Sequence, residues 1–365
     1  MAIQTKPVLE IKDDVLCEDR QREGLAEPLV TPRRAPHSAR LMSERRPQLA
    51  ICFLVLATTV WGLSFPLTKA VSLAEQTLLP GRSSWFYSAH SLVFRMGLAA
   101  LVLAVWRPRM LARITRLEWK QGLGLGFFLA SGALLQNDGL LYTDASTSAF
   151  LTTFYCVILP IVAALARRAW PHWLVGASCL LVLVGVGVLS GVELRNLRLG
   201  RGELATLAGS FFFAADILYL ERTEFRGNDV WRMSFVMFGT VALFLLSVAL
   251  FHAASPHDLW RACASLPILA MLGALTVFCT LAAFITMNLW QPHIEATHAG
   301  LIYCAEPVFT ALLCLFLPAL LSVWAGIAYP NETAGANLLI GGSLITLANI
   351  LIILRPKPAP LLAES

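Results

Sequence analysis

The chain has 365 residues, 57% hydrophobic and only 14% charged, with a formal net charge of +5. A soluble domain carries about 25% charge, so this composition, with a mean hydropathy of +0.67, excludes an ordinary soluble protein and describes one that crosses a bilayer many times. The small positive balance fits orientation in a membrane rather than nucleic-acid binding, so the lipid bilayer is an expected partner and nucleic acid is not.

Residues 1–48 read as a disordered cytoplasmic tail: acids and bases are mixed, prolines recur at Pro28, Pro32, Pro36 and Pro47, and no apolar periodicity is visible. The tail has no apolar core of a secretory signal, and its acids argue against a transit peptide. It ends in the basic cluster Arg40, Arg45 and Arg46. Ten apolar runs follow, at 49–71, 87–105, 121–141, 147–166, 172–190, 203–220, 231–251, 266–289, 298–317 and 335–354, and residues 355–365 form a short second tail. Runs of this kind can cross a hydrocarbon layer of ~30 Å. They are expected to be helices, because only a helix satisfies its own backbone in lipid. The expected class is an all-α integral membrane protein with ten transmembrane helices.

Orientation follows from the bases between the spans. Arg107, Arg109, Arg113, Arg116 and Lys120 follow the second span, Arg167 and Arg168 the fourth, Arg222, Arg226 and Arg232 the sixth, and Arg355 and Lys357 the tenth. All fall on one side with the basic end of the tail, which places both termini in the cytoplasm. Arg195, Arg198 and Arg201, at 191–202, run against this rule.

Polar residues inside the spans are the candidate pathway. In the first span Trp61, Phe65 and Lys69 recur every four residues and share a helix face; they could hold an anionic or amphiphilic solute, or Lys69 could snorkel to the interface. Arg95 stays charged in the second span and needs carbonyls or an acid, with Asp138, Asp216 and Glu306 as possible partners; a tether between helices is favoured over solute contact. Gln136, Asn137 and Asp138 follow one another in the third span, with Tyr142 one turn on. Three consecutive positions spread about 200° around a helix, so not all can face one cavity. Asp216 and Tyr219 lie three apart on the sixth span, and Tyr155 and Asn288 are weaker candidates. In the ninth span Tyr303, Glu306 and Thr310 share a face, and Glu306 stands before Pro307. An acid at membrane depth needs a partner or a wet cavity, so Glu306 either lines a pathway or pairs with a neighbouring helix. Pro66, Pro160 and Pro307 are expected kinks and hinges.

Other chemistry is not indicated. Of the eight cysteines six fall in apolar runs without a CxxC or Cys/His pairing, and they read as small apolar residues. His293 and His298 resemble a zinc motif but are five apart, about 140° around a helix, so no metal is expected. No nucleotide-binding motif is present, and no cofactor is expected.

The chain also repeats itself. AFLTTFYCVILPIVAAL from Ala149 parallels ATHAGLIYCAEPVFTALL from Ala296, with a proline eleven residues after the first alanine in each. The fifth and tenth runs are both glycine-rich, and the first and sixth share small residues, aromatics and a terminal charge. Two five-span halves, 49–190 and 203–354, are expected. Five is odd, so the second half enters from the opposite side, the inverted repeat of a transporter with its site between the halves.

WGLSFPLTKA at 61–70, SLVFRMGLAALVL at 91–103, the run from Leu140 to Pro160, GELATLAGSFFFAADILYLER at 202–222 and ATHAGLIYCAEPVFTALL at 296–313 together resemble the drug/metabolite transporter superfamily, of the EamA type. The resemblance implies ten helices in two inverted repeats, termini inside, moving small solutes across a bacterial inner membrane, often outward. Arg167-Arg168 and the loop from Pro318 to Glu332 stand where relatives often carry a Gly-Glu pair. The expected function is a secondary transporter working by alternating access on an amino acid, a nucleoside-like compound or a drug. It would be driven by a proton through Glu306, Asp138 or Asp216, by a counter-solute, or by the solute's own gradient. The alternatives are an intramembrane enzyme acting on lipid or peptide, for which no nucleophile and base are paired, and a channel or scaffold.

Overall fold

Every regular element among the described residues of the computed structural model is helical. The structure describes residues 37–168, 172–189, 200–262, 264–333 and 335–353. The first helix, α1 (His37–Gly62), begins inside the stretch read as a disordered tail. That reading is corrected for residues 37–48, where Ala39–Arg46 are good helix formers hidden by their mixed charge; residues 1–36 lie outside the described residues. After Leu63 the chain re-enters a helix as α2 (Ser64–Leu78). It then continues through α3 (Ser84–Trp106) and α4 (Arg116–Leu140). Ser83 caps α3, and Thr115 with Glu118 forms a reciprocal capping box at α4.

The expected fourth span is two helices, α5 (Ala145–Thr152) and α6 (Tyr155–Arg167), followed by α7 (Trp173–Leu189). Next come α8 (Arg201–Leu220) and α9 (Val230–His252). The expected eighth span is α10 (Leu266–Ala274), a π-helical segment Leu275–Ala282, and α11 (Ala283–Trp290). The ninth is split into α12 (Ala296–Tyr303) and α13 (Glu306–Cys314). The stretch after it, expected as a loop, holds the helix α14 (Leu317–Ala325), ended by Gly326 in the left-handed region (φ 67°). The last is α15 (Ala336–Ile353).

Among the described residues seven stretches are long and apolar enough to cross a membrane: Pro47–Leu78, Ser84–Trp106, Ala145–Leu165, Arg201–Leu220, Val230–His252, Leu266–His293 and Ala296–Cys314. The third, fifth and tenth expected spans are helices too, α4, α7 and α15, but are not among the seven. In α7 the apolar stretch is only Trp173–Gly185, and α4 carries Gln136, Asn137 and Asp138 at one end and charges at the other. Leu243, Phe251, Val323 and Leu339 lie on the outside, where lipid tails would cover them.

In the interior α3 packs on α9, α4 on α8 and α9, α6 on α12, and α7 on α15. The α4–α8 crossing depends on small residues. A Cβ on Gly139 would meet the Gly202 carbonyl oxygen at 2.6 Å, and one on Gly209 would meet the Gly132 carbonyl oxygen at 2.9 Å. Such small-residue contacts let helix backbones approach where lipid removes the hydrophobic drive.

Candidate functional site

The broken helices converge. A proline leaves the carbonyl four residues before it without a helical N–H. Pro66 frees the Gly62 carbonyl, which accepts from the Thr310 hydroxyl of α13 at 3.3 Å. Pro160 frees the Cys156 carbonyl, which accepts from the Cys179 thiol of α7 at 3.1 Å. The π segment presents the Cys279 carbonyl sideways to Trp61 Nε1 and Arg95 Nη2, both at 3.1 Å. Pro66 and Pro307 lie within three residues of a helix break. Pro160 does not: it sits inside α6, and the break is at Thr153–Phe154. There the Thr153 hydroxyl donates to the Phe150 carbonyl at 2.7 Å and offers the backbone an alternative to continuing the helix.

Around these breaks lies a cavity of ≈ 100 Å³. Trp61 and Phe65 reach it from the first broken span, Arg95 from α3, Gln136 and Asn137 from α4, Tyr155 from α6, Asp216 from α8, and Tyr303 and Glu306 from either side of the last break. Its walls are aromatic. Trp61 stands edge-on to Phe284 at 5.1 Å and to Tyr303 at 5.5 Å between ring centroids. The Tyr303 hydroxyl donates to Gln291 Oε1 at 2.9 Å, and Gln291 Nε2 donates to the Ile217 carbonyl at 3.0 Å, so that ring is fixed from α8.

The charged groups of the cavity divide sharply. Arg95 is hydrogen-bonded across helices, and among the described residues none of the three acids considered is in an ion pair with it within 4 Å. Its Nε donates to Thr280 Oγ1, Nη1 to Ser64 Oγ at 3.1 Å and Nη2 to the Cys279 carbonyl. The π segment supplies the oxygens that sequence spacing cannot show. Asp216 and Glu306 are both buried and line the cavity. Neither is in an ion pair within 4 Å among the described residues, and Asp216 Oδ1 and the Tyr155 hydroxyl have no hydrogen-bond partner there.

Four expected site residues stand elsewhere. Lys69 Nζ donates to the Thr143 carbonyl at 2.8 Å and lies 3.8 Å from Asp144, binding α2 to the turn before α5. Asp138 turns away from the cavity to Arg201, with Nη2 at 2.9 Å from Oδ2. Tyr142 is half exposed and covers the same guanidinium, 4.6 Å from ring centroid to Cζ. Tyr219 lies one turn beyond Asp216, where its hydroxyl donates to the Lys120 carbonyl at 3.2 Å and its ring packs on Phe128. Of the weaker candidates, Asn288 donates to Ser234 Oγ at 3.0 Å, between α11 and α9. Sequence reasoning did not find Ser64, Thr152, Phe213, Phe284 or Met287 in the lining. They are ordinary residues of apolar helices, and only the crossings select them.

Both ends of the bundle carry polar ties. At the end where α2 turns into α3, Arg82 Nε donates to Asp258 Oδ2 at 3.0 Å, and Ala254 and Ser255 donate backbone N–H groups to the same oxygen. Burial pushes the Asp258 carboxyl up, but these donors and the Arg82 charge outweigh it and hold the group below the ordinary aspartate range. At the opposite end Arg232 pairs with the buried Glu118 at 3.1 Å, and Lys120 pairs with Glu224 at 2.8 Å. The Lys120 hydrogen bond holds Glu224 below its usual range.

Residues 48–191 match the model of the EamA-like transporter family, within the drug/metabolite transporter superfamily, as the resemblance read from the sequence implies. An "Uncharacterized transporter" of Archaeoglobus fulgidus is 25% identical over 307 residues, covering 83% of this chain and 85% of its own length. A protein of solved crystal structure shares the fold with a TM-score of 0.59 at 18% identity, over 84% of this chain and 96% of its own. With seven apolar spans among its described residues, the chain is a multi-pass membrane protein.

Proposed function

We propose that this chain is a secondary transporter that carries a small amine-bearing solute with an apolar or aromatic body by alternating access through the central cavity. One observation carries the reading: Asp216 and Glu306 reach one aromatic-walled cavity from different helices, and among the described residues of its lining they face a single base, Arg95, whose donors are held by uncharged oxygens. Two carboxyl groups against one guanidinium favour cations. Aromatic faces attract an ammonium group, so amino acids and drug-like amines fit better than anions, and protons compete for the same two acids. The narrowness of the cavity suits an occluded state. A typical small-molecule site holds about 300–1,000 Å³, so the lining helices must part to admit a solute, and the breaks beside Pro66 and Pro307 are where they can bend.

The helix contacts support two inverted five-helix repeats, 49–190 and 203–354, in a ten-helix fold. Counterparts meet in pairs, α3 with α9, α6 with α12 and α7 with α15, while the α4–α8 contact has its mirror in the contacts of α10 and the π segment with α2. A pseudo-dyad in the membrane plane produces this pattern. The bases at 107–120, 167–168 and 222–232 support cytoplasmic termini in an inner membrane, and export or exchange accords with the family resemblance.

Purified protein in proteoliposomes tests the reading. Labelled aromatic amino acids and amines should show saturable flux that responds to an imposed pH gradient. Linear, non-saturating flux would favour a channel, and flux of anions in preference to amines would overturn the assignment of solute class.

A further inference from the structure

Two ionisable side chains that the cavity does not use are wholly buried at the end where α2 turns into α3. Glu75, in the last turn of α2, and His90, in the second turn of α3, meet at 2.6 Å between Oε1 and Nδ1, with both side chains at 0% exposure. The other ring nitrogen, Nε2, lies 3.0 Å from the carbonyl oxygen of Leu259 in the short helix Asp258–Ala262. Phe86 and Phe94 flank the imidazole, at 5.5 and 4.8 Å between ring centroids. Glu75 Oε2 is buried without a partner among the described residues.

This geometry counts protons. Each imidazole nitrogen faces an oxygen, and the Leu259 carbonyl can only accept. If Glu75 is ionised, both nitrogens must donate, and the ring is an imidazolium. If His90 is neutral, Nε2–H donates to Leu259 and the Glu75 carboxyl must donate to Nδ1. Either way the couple holds one proton more than a carboxylate beside a neutral imidazole. Removing that proton leaves one lone pair facing another, at Leu259 or at Glu75, whichever tautomer forms. A further proton on the carboxyl leaves its carbonyl oxygen free to accept, so acid does not break the contact.

We propose that the Glu75–His90 couple is a proton-binding site that pins the helix Asp258–Ala262 onto α2 and α3 and releases it when the proton leaves. The other titratable or charged groups facing the site are few. The Tyr87 hydroxyl donates to the Leu79 carbonyl and accepts from the Arg82 N–H, and Arg82 is committed to Asp258. The helices α5, α10 and α14, which also pack on α2, bring no ionisable side chain, whereas α13 and α4, packed on α2, bring Glu306, Cys314 and Asp138, and α9, packed on α3, brings His252; Glu306 lines the cavity and Asp138 is held by Arg201. The pin stands apart from the cavity acids and holds whatever the solute is.

Hydrogen exchange on the full-length protein in lipid nanodiscs tests it, with rates corrected for intrinsic pH dependence. The readouts are the Asp258, Trp260 and Arg261 amides, which donate within this segment to Ser255 and His257. An oxygen faces each ring nitrogen, so the proton leaves above the free imidazole value of about 6.5, and the protection of these amides in the wild type should fall about tenfold as pH rises from about 6 to about 10. Glu75→Gln supplies a permanent donor to Nδ1 and should keep them protected across the range. His90→Gln should give a flat profile, and His257→Gln, which alters the exposed histidine of the same segment, should keep the wild-type step. A flat wild-type profile overturns the proposal, whether or not the variants fold. So does an unchanged step in Glu75→Gln or His90→Gln, or a step abolished by His257→Gln.

Discussion

Asp138, buried near the end of α4, and Arg201, the first residue of α8, meet at 2.9 Å beside the crossing where Gly139 and Gly202 bring the two backbones together. The pair accounts for an arginine on the side of the chain that charge counting leaves poor in bases. Arg201 is held by an acid at the membrane boundary, with Tyr142 and Ser84 as further partners.

Replacing Arg201 by Gln strands a buried carboxylate. Breaking a fully buried pair costs about 3–5 kcal/mol, but Arg201 is 52% exposed, so solvent compensates in part and about 1–3 kcal/mol is expected. Asp138→Asn in the same chain should restore most of it, because the stranded charge is then gone. Thermal unfolding of the single and double variants in one detergent measures the coupling. Solute flux should survive in the double variant, since neither residue lines the cavity.

The glycine crossing gives a second stability test. A Cβ at Gly139 would strike Thr206 Oγ1 and the Gly202 carbonyl oxygen, so Gly139→Ala must push α4 from α8 at a cost of about 1–3 kcal/mol. Gly176→Ala in α7 meets nothing within 4 Å, and should leave stability unchanged or raise it by up to about 1 kcal/mol through helix propensity. Equal effects at both positions would remove the close crossing from the account.

How much of this could be read from the sequence depended on what each residue announces. Apolar runs set the helix positions, and Trp61, Phe65, Arg95, Asn137, Tyr155, Asp216, Tyr303 and Glu306 stand out as polar or aromatic residues in such runs; all eight line the cavity. Asp138, Tyr142, Lys69 and Tyr219 stand out equally, but lie nearer the helix ends, where ties to loops and neighbouring helices take them. The Glu75–His90 pair was missed because Glu75 lies past the apolar run, on the continuation of α2 to Leu78. A carboxylate and an imidazole near the facing ends of successive antiparallel helices were the available signal. The π segment had none: LTVFCTLA has no glycine or proline, and its carbonyls turn toward Arg95 and Trp61 only once the helices are packed.

The cavity acids should separate in their effects from the arginine beside them. Glu306→Gln and Asp216→Asn remove a charge that no ion pair within 4 Å uses among the described residues, so folding should be little changed while flux of an amine solute falls about tenfold or more for each. Proton release on solute binding, read with a pH dye in weakly buffered detergent, should vanish in at least one of them. Arg95→Lys should do the opposite. An ammonium cannot reach Thr280, Ser64 and the Cys279 carbonyl together, so thermal stability should drop even though the charge is kept.

The tie between Arg82 and Asp258 predicts a dependence on acid. Asp258 is held below the ordinary aspartate range, so the folded protein binds the carboxyl proton more weakly than the unfolded chain does. By linkage its contribution is fully present above the unfolded aspartate value, and is lost as pH falls through the lower folded value. The segment from Ala254 to Ala262 should therefore loosen at the acid end, because a protonated carboxyl no longer draws the Arg82 guanidinium and the Ala254 and Ser255 N–H groups to one oxygen. Trypsin cleavage after Arg261 reads the segment at neutral pH and pepsin cleavage within it reads the segment in acid, each compared with cleavage elsewhere in the same sample. Asp258→Asn should show at neutral pH the loosening that the wild type shows only in acid. A variant as resistant as the wild type at neutral pH would mean that the backbone turn alone holds the segment.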